Sequence, residues 1–480
     1  MPDARQTLGG VLPNSAEGRT NVSRVNVHKQ IRRALILMLV VGRQGAAEAR
    51  IWHIKPDGRG DAPTIQAGVD SAQVGDEIVL APGTFTWASQ APTGETMVVM
   101  KPGITLRGEA GAEATVIDAE MQGRGIRCTD TGVVRIEGLT VTGGFFDRLH
   151  PIPEGYGSGI LSTGNSQPTI SRCILRENIS LFGNLGAGIA CLDMGATIEN
   201  CQIFENAAGY GSEGAGVYVV GGRVSDCLIR DNRNVGDGAN AAGMKAIGST
   251  IENCWFASNR CLAVAGAAGG AMQARGGTIR GCTFVGNEVG AEFLGNAQGG
   301  AIWSTHDDVD ISDCIFIQNR VTSVGYPGKG GAISAHSGGR PTVTNCTFLG
   351  NVATFLYPVG PGVPIGGLDL EDGGTVRSSI IAWSDGAPCE GPVTMTCTIL
   401  YQNSLGDAIC GTDGGGNAIA DPLFCSQDPI GLRDVRISSA SPAAPDQSGN
   451  CGLIGAGAVD CTIVPVQQRS WSEIKALYRD

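Results

Sequence analysis

Residues able to bind a sugar or move a proton recur at two fixed places after a repeated Gly-rich motif. Each motif ends in an apolar residue, and these are Ile189, Val217, Met244, Met272, Ile302, Ile333 and Leu368. The residues that directly follow are Ala190, Tyr218, Lys245, Gln273, Trp303, Ser334 and Asp369. Those two places further on are Leu192, Val220, Ile247, Arg275, Thr305, His336 and Glu371. In a β-strand both positions lie on the face opposite to the apolar residue.

This mixture of side chains is typical of sugar-binding surfaces. Aromatic faces contact the C–H surface of a sugar, and charged groups bind its hydroxyls and carboxylates. We therefore predict a ligand site formed by Tyr218, Lys245, Gln273, Arg275, Trp303, His336, Asp369 and Glu371. A lyase needs a base and a cation beside the reacting sugar, and the candidates for catalytic roles are Lys245, Arg275 and His336. The alternative is a solvated sheet face, where polar residues are simply expected.

Two acidic turns could hold a cation. One turn contains the carboxylates of Asp307, Asp308 and Asp310, and residues 369–372 form the equivalent turn later in the chain. Calcium takes six to eight oxygen ligands, which carboxylates and carbonyls supply. Solvated turn residues are the alternative interpretation, and no other cofactor is predicted.

These side chains need a scaffold that repeats with the same period, and a second pattern supplies it. A cysteine is followed five residues later by an asparagine seven times in succession, at Cys173/Asn178, Cys201/Asn206, Cys227/Asn232, Cys254/Asn259, Cys282/Asn287, Cys314/Asn319 and Cys346/Asn351. The cysteines are 26 to 32 residues apart, and each lies in a β-type run. Each repeat is therefore one coil of a solenoid.

The alternation within each repeat predicts which side chains face inward. Every second residue of a strand points to the same side, so each cysteine and the apolar residue two places on lie in the interior. The asparagine marks a corner, because it tolerates a left-handed backbone and its amide bonds the same amide one coil above. Coils this short leave no room for helical crossovers. The prediction is an all-β chain, a single-stranded right-handed parallel β-helix of roughly a dozen coils with an N-terminal capping helix.

Composition divides the chain into five segments. Basic residues at 28–33, an apolar run at 34–42 and a small-residue cleavage site resemble a secretory signal peptide, which with its upstream extension occupies residues 1–49. Residues 50–75 form the predicted cap, 76–405 the β-helix and 406–461 a Cys-rich region. The remaining segment, 462–480, is a tail that either caps the rod or serves as a sorting segment. No apolar run is long enough to span a bilayer.

Charge narrows the range of partners. The chain has 34 basic and 46 acidic residues and a net charge of −12. Such a surface disfavours nucleic acid and anionic membranes. Together with the signal peptide and the candidate site, it indicates a protein secreted by a bacterium or held on its cell surface. The predicted partner is a polysaccharide or cell-surface glycan.

The cysteines fall into two groups. The seven ladder cysteines stack with their side chains pointing the same way, so we predict buried, unpaired thiols. Six further cysteines lie where the repeat has ended, and in an exported protein they are disulfide candidates. Among fifteen possible pairings, sequence proximity favours Cys389/Cys397, Cys410/Cys425 and Cys451/Cys461. Zinc binding is the alternative, although no nearby histidine accompanies these cysteines.

Three segments near the N terminus form a recognisable pattern. They read Pro-Asp-Gly-Arg-Gly-Asp-Ala-Pro-Thr-Ile-Gln-Ala at 56–67, Val-Gly-Asp-Glu-Ile-Val-Leu-Ala-Pro-Gly-Thr-Phe at 74–85 and Ile-Thr-Leu-Arg-Gly at 104–108. Residues 51–118 thereby resemble the first coils of the pectate lyase and pectin methylesterase superfamily. The resemblance implies the right-handed β-helix fold, with a helix begun at Pro63 that closes one end of the rod. The Asp-Phe-x-Phe-Gly, Asn-Thr-Asp, Gly-His-Gly and Asp-Pro-His motifs of its enzymes are absent.

The sequence leaves three functions open. It favours an exported surface or extracellular β-helix that binds polysaccharide or another surface ligand without demonstrable catalysis. A polysaccharide lyase or related carbohydrate-active enzyme that acts on uronate polymers is the first alternative. A structural adhesin stalk is the second, so the sequence does not decide whether the protein is an enzyme.

Overall fold

The computed structural model of the protein describes residues 49–147, 155–292, 295–357 and 362–461. The basic and apolar parts of the predicted signal peptide and the predicted tail at 462–480 lie outside the described residues. No helix in the described ranges is long and apolar enough to cross a membrane.

The described chain is a stack of parallel strands arranged in three long sheets. Sheet A has 23 strands, which form two adjoining ladders. Ladder A1 contains Thr96–Val99, Arg124–Thr129, Ile160–Thr163, Ile189–Cys191, Val217–Val220, Met244–Glu252, Met272–Arg280, Ile302–Thr305, Ile333–His336, Ile365–Leu370 and Ala387–Glu390. Ladder A2 shares the two nine-residue strands and adds Ile51–Ile54, Glu77–Leu80, Thr105–Gly108, Gly132–Glu137, Ser166–Ser171, Thr197–Glu199, Arg223–Ser225, Val309–Ser312, Thr342–Thr344, Gly374–Arg377, Val393–Thr396 and Thr412–Asp413.

Two further sheets complete each coil. Sheet B contains Gly83–Thr86, Thr115–Asp118, Thr140–Thr142, Ile174–Arg176, Gln202–Phe204, Leu228–Arg230, Trp255–Ala257, Thr283–Val285, Ile315–Ile317, Thr347–Leu349, Ile380–Ala382, Ile399–Tyr401 and Ala418–Ile419. Sheet C contains Phe145–Phe146, Ile179–Ser180, Ala207–Ala208, Arg233–Val235, Arg260–Ala263, Glu288–Ala291, Arg320–Val324 and Val352–Leu356. A two-stranded sheet pairs Ala267–Ala268 with Ala297–Gln298.

The predicted all-β parallel β-helix is confirmed by this topology. Parallel pairing extends beyond the predicted bounds of 76 and 405, from Ile51–Ile54 to Ala418–Ile419. The α-helices of the described residues are Ile65–Ser71 and Trp87–Gln90, and a 3-10 helix spans Gly449–Cys451. The first helix begins two residues later than the predicted start at Pro63, because the Thr64 side chain accepts a hydrogen bond from the backbone N–H of Ala67 and so caps it.

The interior consists of the columns of side chains that the alternation predicts. The ladder cysteines are buried and form no disulfides. Four phenylalanines from successive coils stack with ring centroids 4.9, 4.8 and 4.6 Å apart, and these are Phe256, Phe284, Phe316 and Phe348. Because each coil adds the same residue at the same place, the core is continuous along the rod.

The predicted asparagine ladder is present, but its backbone differs from the prediction. Asn259 Oδ1 accepts hydrogen bonds from the backbone N and Nδ2 of Asn232, and its Nδ2 donates to Asn287 Oδ1 at 2.9 Å. The left-handed residues are those just before each cysteine and each asparagine, such as Asn253 and Ser258. A left-handed residue at the corner turns the chain so that the asparagine side chain points inward, where its amide replaces missing strand pairing.

The three C-terminal disulfides differ from the predicted pairs. They join Cys389 to Cys410, Cys397 to Cys451 and Cys425 to Cys461. Sequence proximity fails as a guide because Cys389 lies in ladder A1 while Cys397 follows a strand of ladder A2. Residues 420–461 also fold back over the outer surface of sheet B, where Ile437 and Ile454 are buried in one apolar cluster with sheet B side chains. Cys451 and Cys461 therefore meet partners that are distant in sequence.

Candidate functional site

Strand register aligns the predicted site residues in two columns on the outside of ladder A1. The pairs Tyr218 with Lys245, Lys245 with Gln273, and Gln273 with Trp303 are direct neighbours on adjacent strands. The same column continues through Ser334 to Asp369. The second column pairs Ile247 with Arg275 and Thr305 with His336, and Glu371 follows the next strand. We call these two columns the polar face.

A third column, which the sequence analysis missed, borders the polar face. Single parallel bridges link Leu185, Glu213, Asn240 and Ala268, and a second set links Gln298, Lys329 and Ile365. Glu213 and Lys329 each lie four residues before the inward apolar residue of their repeat, Val217 and Ile333. That constant spacing is the signal that could have identified them.

The N-terminal part of the polar face contains an ion pair beside an aromatic ring. Lys245 Nζ lies 2.6 Å from Glu213 Oε1 and 5.9 Å from the ring centroid of Tyr218. The Lys245 side chain is only 12% exposed. Burial, with a smaller contribution from Glu213, raises the pKa of the Tyr218 phenol, so that this hydroxyl stays protonated at neutral pH.

Arg275 and Gln273, which lie one coil further along the polar face, also form polar contacts. Arg275 Nε lies 3.0 Å from Asp307 Oδ2 in an exposed ion pair. Gln273 is buried, and its Nε2 donates to Thr305 Oγ1 at 3.5 Å. No described residue donates a hydrogen bond to Gln273 Oε1, which leaves a buried acceptor unpaired.

Trp303 and His336 form a hydrogen-bonded pair at the centre of the polar face. The indole Nε1 donates to His336 Nε2 at 2.6 Å, and the ring centroids are 5.3 Å apart. His336 Nδ1 therefore carries the proton in the neutral ring and lies 2.7 Å from Ser337 Oγ. Burial lowers the pKa of His336, which favours the neutral ring that can accept this bond. Trp303 is half-buried and lies outside the solenoid core, on the outward face that the alternation predicts.

Asp369 is the buried carboxylate of the C-terminal part of the polar face. Its side chain is 1% exposed, Oδ2 accepts a hydrogen bond from Ser334 Oγ at 3.1 Å, and no described residue donates one to Oδ1. Lys329 Nζ lies 3.7 Å from that oxygen and 3.9 Å from one oxygen each of Glu371 and Glu390. Burial raises the pKa of Asp369 to about 6, while Lys329 opposes the rise.

The polar face differs from a simple solvated sheet surface. Four of its polar residues are buried, namely Gln273, Thr305, Ser334 and Asp369. Burial of a polar side chain costs free energy unless hydrogen-bond partners compensate, and polar residues on a solvated sheet surface avoid this cost by remaining exposed. Neighbouring side chains therefore shield these four residues of the polar face from solvent.

The predicted calcium ligands do not form one cluster. Asp307 is paired with Arg275, Asp308 Oδ1 accepts a hydrogen bond from the backbone N of Arg340 at 3.2 Å, and Asp310 is exposed on a strand of ladder A2. Among the residues described, no group of three or more His, Cys, Asp or Glu side chains is arranged to hold a metal ion. Calcium binding stays a prediction.

Comparison with known proteins identifies the family. The model of the right handed beta helix region matches residues 99–233 and 187–381, more than half of the chain, and the protein belongs to this family. No curated protein matches the sequence. Among solved structures, pectate lyase Pel9A is 17% identical with a TM-score of 0.45, over 87% of this chain and 98% of that one.

A second solved structure has a lower similarity. It is a mannuronic acid specific polysaccharide family 6 lyase from human gut microbiota, 12% identical with a TM-score of 0.36, over 78% of this chain and 83% of that one. At these values neither resemblance assigns an activity, so function must be argued from the chain's own residues.

Proposed function

We propose that the polar face binds a polysaccharide chain laid along the rod axis. The observation that carries the proposal is a pair of buried oxygens without hydrogen-bond donors, Gln273 Oε1 and Asp369 Oδ1. An unpaired buried acceptor costs about 1–3 kcal/mol, and the hydroxyls of a sugar are donors that relieve this cost. Both oxygens lie in the column that contains Trp303, whose indole offers a surface for sugar C–H groups.

The charges of the polar face favour neutral or amino sugars over uronates. Lys245 and Arg275 are each paired with one carboxylate, and Lys329 is close to three. A uronate carboxylate would have to displace these partners, because carboxylates outnumber cations on the face. Because Lys245 and Arg275 are already paired with carboxylates, they are suited to donate hydrogen bonds to a sugar. They are less suited to act as the base of a lyase or as the cation that binds the substrate's carboxylate.

Three disulfides support an extracellular location for this binding. Disulfides persist in secreted proteins and at cell surfaces, and are rare in reducing compartments. A rod with a ligand face along one side is suited to hold an extended polymer, since successive coils repeat about every 4.8 Å. A bacterial source remains a prediction from the N-terminal sequence.

A glycan array with neutral, amino-sugar and uronate polymers tests the proposal. We expect the mature protein to bind neutral or amino-sugar polymers and to lose most of that signal in Trp303→Ala. Binding to uronates alone would contradict the charge argument. Absence of binding to every glycan would instead favour the adhesin stalk.

A further inference from the structure

We infer that the C-terminal part of the polar face is a hydrolytic centre that cleaves glycosidic bonds, with Asp369 as the acid and Glu390 as the base. This inference rests on the proposed binding of polysaccharide to the same face. It adds a reaction and two residue roles to that proposal. Three features of the site support it in turn: the acid, the second carboxylate and the position of Lys329.

Asp369 has the surroundings that a proton donor needs. It lies in the strand Ile365–Leu370, where the backbone is fixed by pairing on both sides. Ser334 Oγ donates to Oδ2 at 3.1 Å, whereas Oδ1 has no hydrogen-bond donor and lies 3.7 Å from Lys329 Nζ. Oδ1 therefore accepts from a sugar hydroxyl when Asp369 is ionised, and it carries the proton when Asp369 is the neutral acid. Burial stabilises the neutral carboxylic acid relative to the carboxylate and raises its pKa to about 6.

Glu390 is the carboxylate best placed to act with this acid. It ends the strand Ala387–Glu390 and is the direct partner of Asp369 in the next coil. Its side chain is 50% exposed, so water reaches it. Glu371 is equally close to Lys329 but follows the end of its strand in a turn, where its position is less fixed.

Lys329 contacts both carboxyl groups and so limits the distance between them. Asp369 Oδ1 lies 3.7 Å and Glu390 Oε2 lies 3.9 Å from the same Nζ. The two oxygens are therefore less than 8 Å apart, a bound that is compatible with the spacing of about 6.5–9.5 Å in hydrolases where one carboxylate activates the attacking water. The ammonium also places a positive charge beside Glu390, the carboxylate assigned the role of base.

The reaction consumes one water for each bond cleaved. Asp369 gives its proton to the glycosidic oxygen, and the bond from that oxygen to C1 breaks with its electron pair going to the oxygen. Water attacks C1 while Glu390 takes one of its protons. Two shorter chains result, each with a new hydroxyl group, and solvent returns a proton to Asp369 and removes one from Glu390.

Release of reducing ends from galactomannan, xyloglucan, partially deacetylated chitin and polygalacturonate tests the inference. The variants are Asp369→Asn and Glu390→Gln, with Glu199→Gln on ladder A2 as the matched control. Binding of each polymer is measured in parallel by affinity electrophoresis. We expect both site variants to lose about 10²- to 10⁴-fold in rate, Glu390→Gln to bind as the wild type does, and the control to be unchanged in rate and in binding.

The outcomes separate the two proposals. A wild-type protein that binds a polymer but releases no reducing ends overturns the hydrolytic centre and leaves binding intact. Cleavage that persists in Asp369→Asn, or products that show the ultraviolet absorbance of an unsaturated elimination product, also overturns it. Failure to bind any of the four polymers counts against both proposals.

Discussion

The interior of this rod and its polar face are built from the same coils but follow opposite rules. Inside, every coil from Cys173 to Asn351 repeats one cysteine and one asparagine, and the buried amides form a single hydrogen-bonded ladder. On the polar face, the equivalent position changes from Tyr218 to Lys245 to Trp303. Repetition therefore marks what holds the stack together, and departure from repetition marks what individual coils do.

The two regions also differ in how completely their polar groups are paired. Asn259 uses its amide nitrogen and oxygen fully, with partners in the coils on both sides. Gln273 and Asp369 each leave one buried oxygen without a donor. A fully paired ladder contributes stability, whereas an unpaired acceptor on an outer face favours a ligand that supplies the missing donor.

The largest effect is expected from a break in the inner ladder. Asn259→Leu leaves the Ile229 carbonyl, the Asn232 N–H and the Asn287 Oδ1 short of partners. Unpaired buried groups cost about 1–3 kcal/mol each, so we expect a loss of about 4 kcal/mol in the free energy of unfolding. Denaturant unfolding measures this loss. Asn296→Leu, at an exposed asparagine, is the control, and equal destabilisation by both variants would refute the role of the ladder.

Removal of the Cys397–Cys451 disulfide should have the next largest effect. The bond joins residues 54 apart and attaches the C-terminal region to the stack. Replacement of both residues by alanine should cost about 3 kcal/mol, and faster hydrogen exchange should be confined to residues 420–461 and the outer surface of sheet B. Exchange that increases along the whole ladder instead would show that the two regions are not separable.

A substitution at Asp369 on the polar face should raise the free energy of unfolding, whereas the two changes above should lower it. The folded protein holds the Asp369 pKa at about 6, above its ordinary value, so wild-type stability falls as pH rises from about 4 to 6. Asp369→Asn lacks this loss, and its advantage over wild type should grow by about 2 kcal/mol between pH 4 and pH 7. Thermal unfolding at both pH values measures the difference. An advantage that shrinks as pH rises would contradict the buried-acid assignment.

The sequence predicted the repeating parts of the molecule better than the parts that depart from repetition. The columns of the polar face follow from period-2 alternation, and their register is correct from Tyr218 to Asp369. Glu390 was missed because its coil is shorter than the others. Cys389, the inward residue just before Glu390, follows Leu368 by only 21 residues, whereas earlier inward residues are 27 to 35 residues apart. The predicted disulfide pairs were wrong because residues 420–461 fold back along sheet B, and no sequence repeat predicts that path.

Binding of polysaccharide by the polar face is the central claim, and affinity electrophoresis of matched tryptophan variants tests it most directly. Trp303→Ala removes the indole of the polar face, and Trp383→Ala removes a half-buried indole that lies on the sheet B side. In gels with galactomannan or partially deacetylated chitin, we expect wild type and Trp383→Ala to be retarded equally and Trp303→Ala to bind about tenfold more weakly, because one aromatic contact is lost. Equal retardation of all three proteins, or retardation of none, would contradict the account.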